Sequence, residues 1–334
     1  MNKQPSLRTI AEKTGFAVTT ISKALNDAPN ISAKTKAYVR QVADEMGYRP
    51  DRAGVSLRTG QTHKIVLLMQ LSDEISDFSR QLILGMGHGL RATTYELVFQ
   101  PVLPEQDQVE EVRSIIRNRS ADGIVLAQTA PDDQRVALAI EHDFPVVTHG
   151  RTHLKGDHAF YDFDNDAFSY AAVKRLSNMG CASVGLFAPE PELTYFTHLS
   201  SGLNRANAQF DVQASYIDLS EQQGDYAERV RTYCAAAFAA GRLPRGLICS
   251  SELAALAAMD GVRRAGGEIG EDVHIVARKT SNLLDFVSPK IQWVSEDLIV
   301  AGEQLAALLL NRIKGASAAD LQVIGAPTPS WSEN

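Results

Sequence analysis

The chain is poor in cysteine and has no long apolar run. Cys181, Cys234 and Cys249 are the only three cysteines in 334 residues, odd in number and widely spaced. That excludes a disulfide framework or a cysteine-rich zinc site and fits reduced, mostly buried thiols in a cytoplasm. No stretch approaches the ~18 consecutive apolar residues of a membrane span. The opening Met1-Asn2-Lys3-Gln4-Pro5-Ser6 has no apolar signal-peptide core, so export is not expected and a cytoplasmic location is. Catalytic signatures are missing too: there is no G-x-S-x-G elbow, no H-E-x-x-H and no P-loop. Gly85-Met86-Gly87-His88-Gly89 faintly resembles a dinucleotide turn, but it falls inside a helical pattern about fifteen residues after a strand, where such a turn must follow directly. No enzymatic activity, metal or cofactor is expected.

What remains is an ordinary composition, 44% hydrophobic and 22% charged, able to bury a sizeable core. The length suits two or three domains at roughly 100–200 residues each. The net charge of −7 is unevenly spread. Residues 1–62 hold ten Lys/Arg against five acids, a surplus of +5, which leaves −12 on the rest. A basic head on an acidic body places attraction for phosphate at one end, although a solvated basic face would give the same count.

Within that head, Leu7, Ile10, Ala11 and Thr14 fall at helical spacing, with Ser6 placed to cap the start. Gly15 breaks the pattern, as a tight interhelical turn at positive φ requires. A second helix carries Val18, Ile21, Ala24 and Leu25 for burial and Thr19, Thr20, Ser22 and Lys23 on its other face. Ser32 caps a third helix with an inner stripe of Val39, Val42, Ala43 and Met46, closed by Gly47. Three short helices with a glycine turn between the first two make a helix-turn-helix, whose second helix enters the major groove.

These residues resemble the head of the lactose-repressor/galactose-repressor (LacI/GalR) family. The resemblance is carried by Leu7-Arg8-Thr9-Ile10-Ala11, Gly15, Thr19-Thr20-Ile21-Ser22-Lys23-Ala24-Leu25-Asn26, Ile31-Ser32-Ala33-Lys34-Thr35 and Met46-Gly47-Tyr48-Arg49-Pro50. It implies that Val18, Thr19 and Lys23 read bases, that Thr20, Ser22, Asn26, Ser32 and Tyr48 mostly hold phosphates, and that Arg8 also belongs to the DNA-binding set. Ala17 and Lys23 stand where the family often has Ser and Arg, and Lys lacks the bidentate fork of Arg toward guanine. Residues 51–60 resemble the hinge helix, which Gly54 weakens by about 1 kcal/mol until DNA orders it. Leu57 matches the family's minor-groove wedge, with Arg58 on nearby backbone and Arg52 also in the DNA-binding set. A plain linker with one exposed leucine is the alternative.

Beyond residue 62, short apolar runs alternate with helical stretches. Lys64–Gln70, Glu96–Gln100, Gly123–Ala127, Pro145–His149, Val184–Ala188, Gly246–Cys249, Val273–Ala277 and Ile291–Val294 read as buried strands. This is the βαβ rhythm of doubly wound parallel sheets, repeated loosely on either side of about residue 163. The resemblance implies a two-lobed core like the periplasmic sugar-binding proteins, crossed three times by the chain. The expected organisation is a helix-turn-helix domain at 1–50, a hinge at 51–62 and a core at 63–334. Lobe 1 would take about 63–162 and 291–319, and lobe 2 about 163–290 and 320–334.

A sugar offers hydroxyls to carboxylates and amides and apolar faces to aromatics. Family positions matched one by one nominate Asp77, Phe78, Gln128, His149, Arg151, Tyr161, Asp162, Asp164, Asn165, His198, Tyr226, Ser251, Glu252, Lys279, Trp293 and Glu296. Bland readings stand beside them: Asp164 and Asn165 can cap a helix, and Tyr226 and Trp293 can pack in the core. His149, His153 and His158 straddle a loop and a strand without a supporting cysteine, which favours structural or sugar-binding roles over a metal site. Two positions depart from the family: Lys279 replaces a usual aspartate, and Leu199 a common arginine. The combination of Thr148-His149-Gly150-Arg151 and Arg278-Lys279-Thr280-Ser281 is similar to a subgroup answering to α-glucosides and related disaccharides, with sucrose the first guess. The resemblance therefore implies a homodimeric repressor on a palindromic operator, released by a sugar. A dimer rather than a tetramer is expected, because no leucine-heptad tail follows Trp331. Rival readings are a ligand that strengthens DNA binding, an exported sugar-binding protein and a sugar-modifying enzyme.

Overall fold

The computed structural model describes residues 5–25, 27–48, 60–70, 76–103, 105–154, 157–188 and 191–331, with Ser76 and Asp77 described by backbone alone. Asn26, Arg52, Leu57 and Arg58 lie outside the described residues, as does the Asp77 side chain. The chain forms two compact units, Met1–Thr62 and His63–Asn334.

The first unit contains α1 (Leu7–Thr14), α2 (Val18–Leu25) and α3 (Ala33–Glu45). Ser6 begins α1 with a reciprocal cap: Thr9 N donates to Ser6 Oγ at 3.3 Å, and Ser6 N donates to Thr9 Oγ1 at 2.8 Å. Gly15 ends it at φ +76°, a conformation costly to any residue with a Cβ. Ile10, Ala11, Ile21, Ala24, Val39, Val42 and Ala43 meet in one small core.

The second unit is built on two six-stranded sheets. The first holds β1 (Lys64–Gln70), β2 (Glu96–Val102), β3 (Gly123–Leu126), β4 (Val146–His149), β5 (Ala159–Phe163) and the late β11 (Gln322–Gly325), all parallel, in the order β11-β5-β4-β3-β1-β2. The second holds β6 (Ser183–Phe187), β7 (Gln213–Tyr216), β8 (Gly246–Cys249), β9 (His274–Lys279), β10 (Gln292–Ser295) and β12 (Thr328–Ser330), in the order β12-β10-β9-β8-β6-β7. Only β12 runs antiparallel there. Helices cover both faces, as parallel sheets require. They are α4 (Ser76–Leu90), α5 (Gln108–Asn118), α6 (Gln134–Glu141) and α11 (Leu298–Ile313) on the first sheet, and α7 (Asn165–Asn178), α8 (Thr194–Gln209), α9 (Tyr226–Ala239) and α10 (Glu252–Arg264) on the second. Along β1, Ile65, Leu67 and Met69 pack toward α4 and α11, while Val66 and Leu68 join Val112, Ile115 and Val136 on the other face.

The chain passes between the sheets at 163–164, 295–298 and 325–328. The expected lobe limits need correction here. β10, assigned with 291–319 to lobe 1, belongs to the second sheet, and β11, assigned to lobe 2, belongs to the first. Backbone pairing decides this: Trp293 lies beside Ala277, and Val323 beside Tyr161. The glycine run in α4 has a packing explanation. A Cβ on Gly85 would lie 2.2 Å from the Ile299 carbonyl oxygen, and one on Gly302 would lie 2.5 Å from that of Leu82, so α4 and α11 touch backbone to backbone. Cys181, Cys234 and Cys249 are all buried thiols. Among the described residues no helix is long and apolar enough to cross a membrane.

Candidate functional site

In the first unit, burial of Ile21 and Ala24 turns the opposite face of α2 outward, leaving Val18, Thr19 and Lys23 exposed. Thr20 and Ser22 are half-buried, Arg8 is exposed on α1, and Tyr48 packs against the three-helix core. Ser32 caps α3 by accepting from Thr35 N at 3.1 Å. A clamp unseen in the sequence fixes the loop after α2. Asp27, at φ +58°, receives Lys36 Nζ and Arg40 Nη2, each at 3.0 Å. The Lys36 hydrogen bond, with the charges of both cations, holds the Asp27 carboxyl below its usual range. The spacing of Lys36 and Arg40, one helical turn apart, was the available signal.

In the second unit, the carboxyl ends of β4, β5, β9 and β10 bring polar side chains together, where open α/β sheets bind ligands. Glu296 follows β10 and is fully enclosed. Its Oε1 lies 3.2 Å from His149 Nε2, and its Oε2 accepts from Arg278 Nη2. Burial pushes its carboxyl pKa up, but Arg278 and His149 outweigh that and hold it below the usual value. The Arg278 guanidinium also lies 4.9 Å from the Phe163 ring centroid. Phe78 and Tyr161 flank His149, with ring centroids 5.1 and 6.0 Å away. Burial, then the charge of Glu296, pushes the Tyr161 phenol up to about 12. The two sheets thus grip one crossover carboxylate, His149 from the first and Arg278 from the second.

A second cluster also spans both sheets. Arg151 Nε donates to Asp162 Oδ2 at 2.6 Å, and His198, from α8, places Nδ1 3.7 Å from the same oxygen and 3.4 Å from Arg151 Nη2. Burial raises the Asp162 carboxyl against the pull of Arg151, and burial with Arg151 lowers His198, which favours a neutral imidazole. Glu252, at the start of α10, accepts from Ser281 Oγ at 2.7 Å, Ser281 N at 3.3 Å and Thr280 Oγ1 at 3.4 Å. Lys279 ends β9 with its ammonium 2.5 Å from Asp285 Oδ1 and 4.7 Å from the centroid of Trp293.

Other nominated residues serve local structure. Asp164 caps α7 by accepting from Ala167 N at 2.9 Å, and buried Asn165 donates Nδ2 to Phe163 O at 3.0 Å. Ser251 caps α10. Tyr226 packs against the α9–α10 core, its hydroxyl 3.4 Å from Ala188 O. Gln128 sits at φ +55° with Oε1 buried and unpartnered among the described residues. Its carbonyl accepts from Arg135 Nη2 at 3.0 Å, and Arg135 is itself paired with Asp133 at 2.6 Å. Sequence reasoning missed Asp133, Arg135 and Asp285. A cavity of about 510 Å³ lies at the crossover segments, lined by Phe163, Asp297, Gly325 and Thr328. It shares only Tyr161 and Glu296 with the nominated residues.

The profile of the lacI family of bacterial regulatory proteins matches residues 6–51, and that of the periplasmic binding protein-like domain matches 173–332. The chain is 28% identical over 322 residues to the HTH-type transcriptional regulator AglR of Rhizobium meliloti (strain 1021), covering 92% of this chain and 88% of that protein. Its fold is that of the lac repressor dimer bound to operator and the anti-inducer ONPF, with a TM-score of 0.81, 18% identity and 98% of each chain covered. A complex of the transcriptional regulator CelR with cellobiose aligns at a TM-score of 0.70 and 20% identity, again over 98% of each chain.

Proposed function

The chain belongs to the lacI family of bacterial regulatory proteins, and from that membership we propose that it is a dimeric, cytoplasmic repressor that leaves a palindromic operator when a sugar binds its core. The observation that carries the effector reading is the meeting of Arg151 and Asp162 with His198 across the two sheets. These are donors and acceptors of the kind a polyol needs, contributed from strand ends of the first sheet and from a helix of the second. A glucoside or other disaccharide is the proposed effector, with sucrose the first candidate. The cellobiose complex of the similarly folded CelR supports a disaccharide.

In this proposal Val18, Thr19 and Lys23 read base edges, and Arg8, Thr20, Ser22, Asn26, Ser32 and Tyr48 hold the backbone. Leu57 wedges the minor groove between Arg52 and Arg58. Sugar closes the lobes and favours the arrangement that binds DNA poorly. A 100-fold loss of operator occupancy requires the sugar to favour that arrangement by about 2.7 kcal/mol. The relatives are transcriptional regulators, which removes the enzyme reading.

The test is thermal melting against sucrose, maltose, cellobiose and raffinose, followed by operator release measured by fluorescence anisotropy. A ligand at 100 times its Kd adds about 2.7 kcal/mol to the folded state. At roughly 2–4 °C per kcal/mol for a large domain, the expected shift is about 5–10 °C. A sugar that raises the melting temperature and tightens operator binding would instead make the ligand a co-repressor. No shift with any sugar would remove the sugar reading and leave the DNA-binding head untouched.

A further inference from the structure

We propose that two buried threonines, Thr129 and Thr148, are the positioning residues of the effector site: each donates its hydroxyl to a carbonyl of Gly150-Arg151, and together they set where the Arg151 guanidinium meets Asp162 and His198. This rests on the sugar reading above and adds to it the residues that keep its cation in place. Neither threonine is among the residues nominated from the sequence. Thr148 lies in β4 and is fully enclosed. Its Oγ1 donates to Gly150 O at 2.5 Å. That commits its only proton, so toward His158, whose Nε2 lies 3.1 Å away, the same oxygen can only accept. His158 therefore carries a hydrogen on Nε2, while its Nδ1 faces Thr152 Oγ1 at 3.5 Å. Burial lowers the His158 pKa against the charges of Asp133 and Asp157, which favours a neutral ring with Nδ1 bare.

Thr129 follows β3 and is also buried. Its Oγ1 donates to Arg151 O at 2.9 Å, and its carbonyl accepts from Thr194 N at 2.8 Å. Thr194 begins α8, the helix that brings His198, so one residue holds backbone on both sides of the Arg151–His198 contact. The same segment is tied in other directions. Gly150 N donates to Tyr161 O at 2.9 Å, and His153 N to Pro131 O at 2.7 Å. Gly150 stands at φ +108°, and a Cβ there would lie 2.6 Å from Thr129 Oγ1, so the hydroxyl occupies space that only a glycine leaves open. Asp162 is fixed by its place in β5, whereas Arg151 lies two residues beyond the end of β4. The two hydroxyls do there what a strand ladder does for Asp162. The planar fork of an arginine meets a ligand accurately only when its own support is held to within about 0.5 Å.

The experiment titrates sucrose, maltose, cellobiose and raffinose by calorimetry into wild type, Thr148→Val and Thr129→Val, which keep the side-chain shape and remove the hydroxyl. Each variant loses one hydrogen bond to the segment, so affinity for a responding sugar should fall about tenfold in each. Thr148→Ser and Thr129→Ser keep the hydroxyl and should stay within about threefold of wild type. In Arg151→Lys a flexible point charge replaces the fork, and either valine should then cost less than about threefold more. Long-range proton–nitrogen NMR of the His158 ring should show its hydrogen on Nε2. Urea unfolding checks that each variant folds; if one valine variant does not, the other carries the same test. Valine variants that bind within about twofold of wild type, an undiminished penalty beside Arg151→Lys, serines as weak as the valines, or a His158 ring bearing hydrogen on Nδ1 alone would each overturn the proposal while keeping the sugar reading. No binding of any of the four sugars to wild type overturns the sugar reading, and the proposal falls with it.

Discussion

Replacing Glu296 by Gln keeps the shape of the side chain and deletes one charge at the point where both sheets meet. Glu296 is 4% exposed and Arg278 8%. Arg278 Nε is already buried without a partner among the described residues, so its charge depends on Glu296. Leaving one member of a buried pair uncompensated costs about 3–5 kcal/mol. Glutamine still accepts one hydrogen bond, which places the expected loss near the lower limit, about 3 kcal/mol. For a large domain that lowers the melting temperature by roughly 6–12 °C. The double variant Glu296→Gln with Arg278→Met removes both charges and should recover most of the loss, because an apolar replacement of a whole buried pair is often neutral. Thermal and urea unfolding of wild type, both single variants and the double variant complete the cycle. A Glu296→Gln chain that melts within about 1 °C of wild type, or a double variant carrying the sum of both losses, would refute the coupling.

The remaining predictions concern other charges. Arg135→Ala strands the enclosed Asp133 and the carbonyls of Ala127 and Gln128, and should cost about 3–5 kcal/mol in urea unfolding; a loss below about 1 kcal/mol would show that the pair is dispensable. Burial is the first cause that lowers the pKa of His158, His198 and His274, so the unfolded chain takes up protons first as pH falls. Their contribution, complete above the unfolded value of about 6.5, is lost as pH falls through that value toward their folded values, and the urea midpoint should drop between pH 7.5 and 5.5. An unchanged or rising midpoint contradicts that sign. Lys23→Ala should relax base preference by about 1–3 kcal/mol at one operator position, read by binding to operators varied one base pair at a time; unchanged preference would remove Lys23 as a reader.

Much of the fold was legible where physics acts locally. The buried strands with continuous aliphatic runs, such as Lys64–Gln70 and Gly246–Cys249, announce themselves because both faces of a parallel sheet are covered. β5, written Ala-Phe-Tyr-Asp-Phe, and β7, written Gln-Ala-Ser-Tyr, do not, since aromatic and polar residues interrupt the apolar pattern. β11 and β12 are short edge strands with little burial, and their sheet membership depends on partners more than 150 positions earlier for β11 and some 35 for β12. The same non-locality explains why β10 was assigned to the wrong lobe. A strand run specifies that it must pair, but nothing within it names the sheet.

The site divides along similar lines. Its ionisable residues were readable as strand-end positions, but their pairing was not, and the pairing decides the electrostatic field. Arg278 and Lys279 make the point, because adjacent residues on a strand face opposite sides. Arg278 turns toward Phe163 and the enclosed Glu296, while Lys279 turns toward Trp293 and the exposed Asp285. Two neighbouring positive charges that look interchangeable in a sequence therefore do different work. One cation joins the second sheet to the crossover and is committed to folding. The other is matched by a half-exposed carboxylate six residues away. Changes at Arg278 should therefore cost several-fold more in unfolding free energy than changes at the half-exposed Asp285, although the two residues lie only seven positions apart.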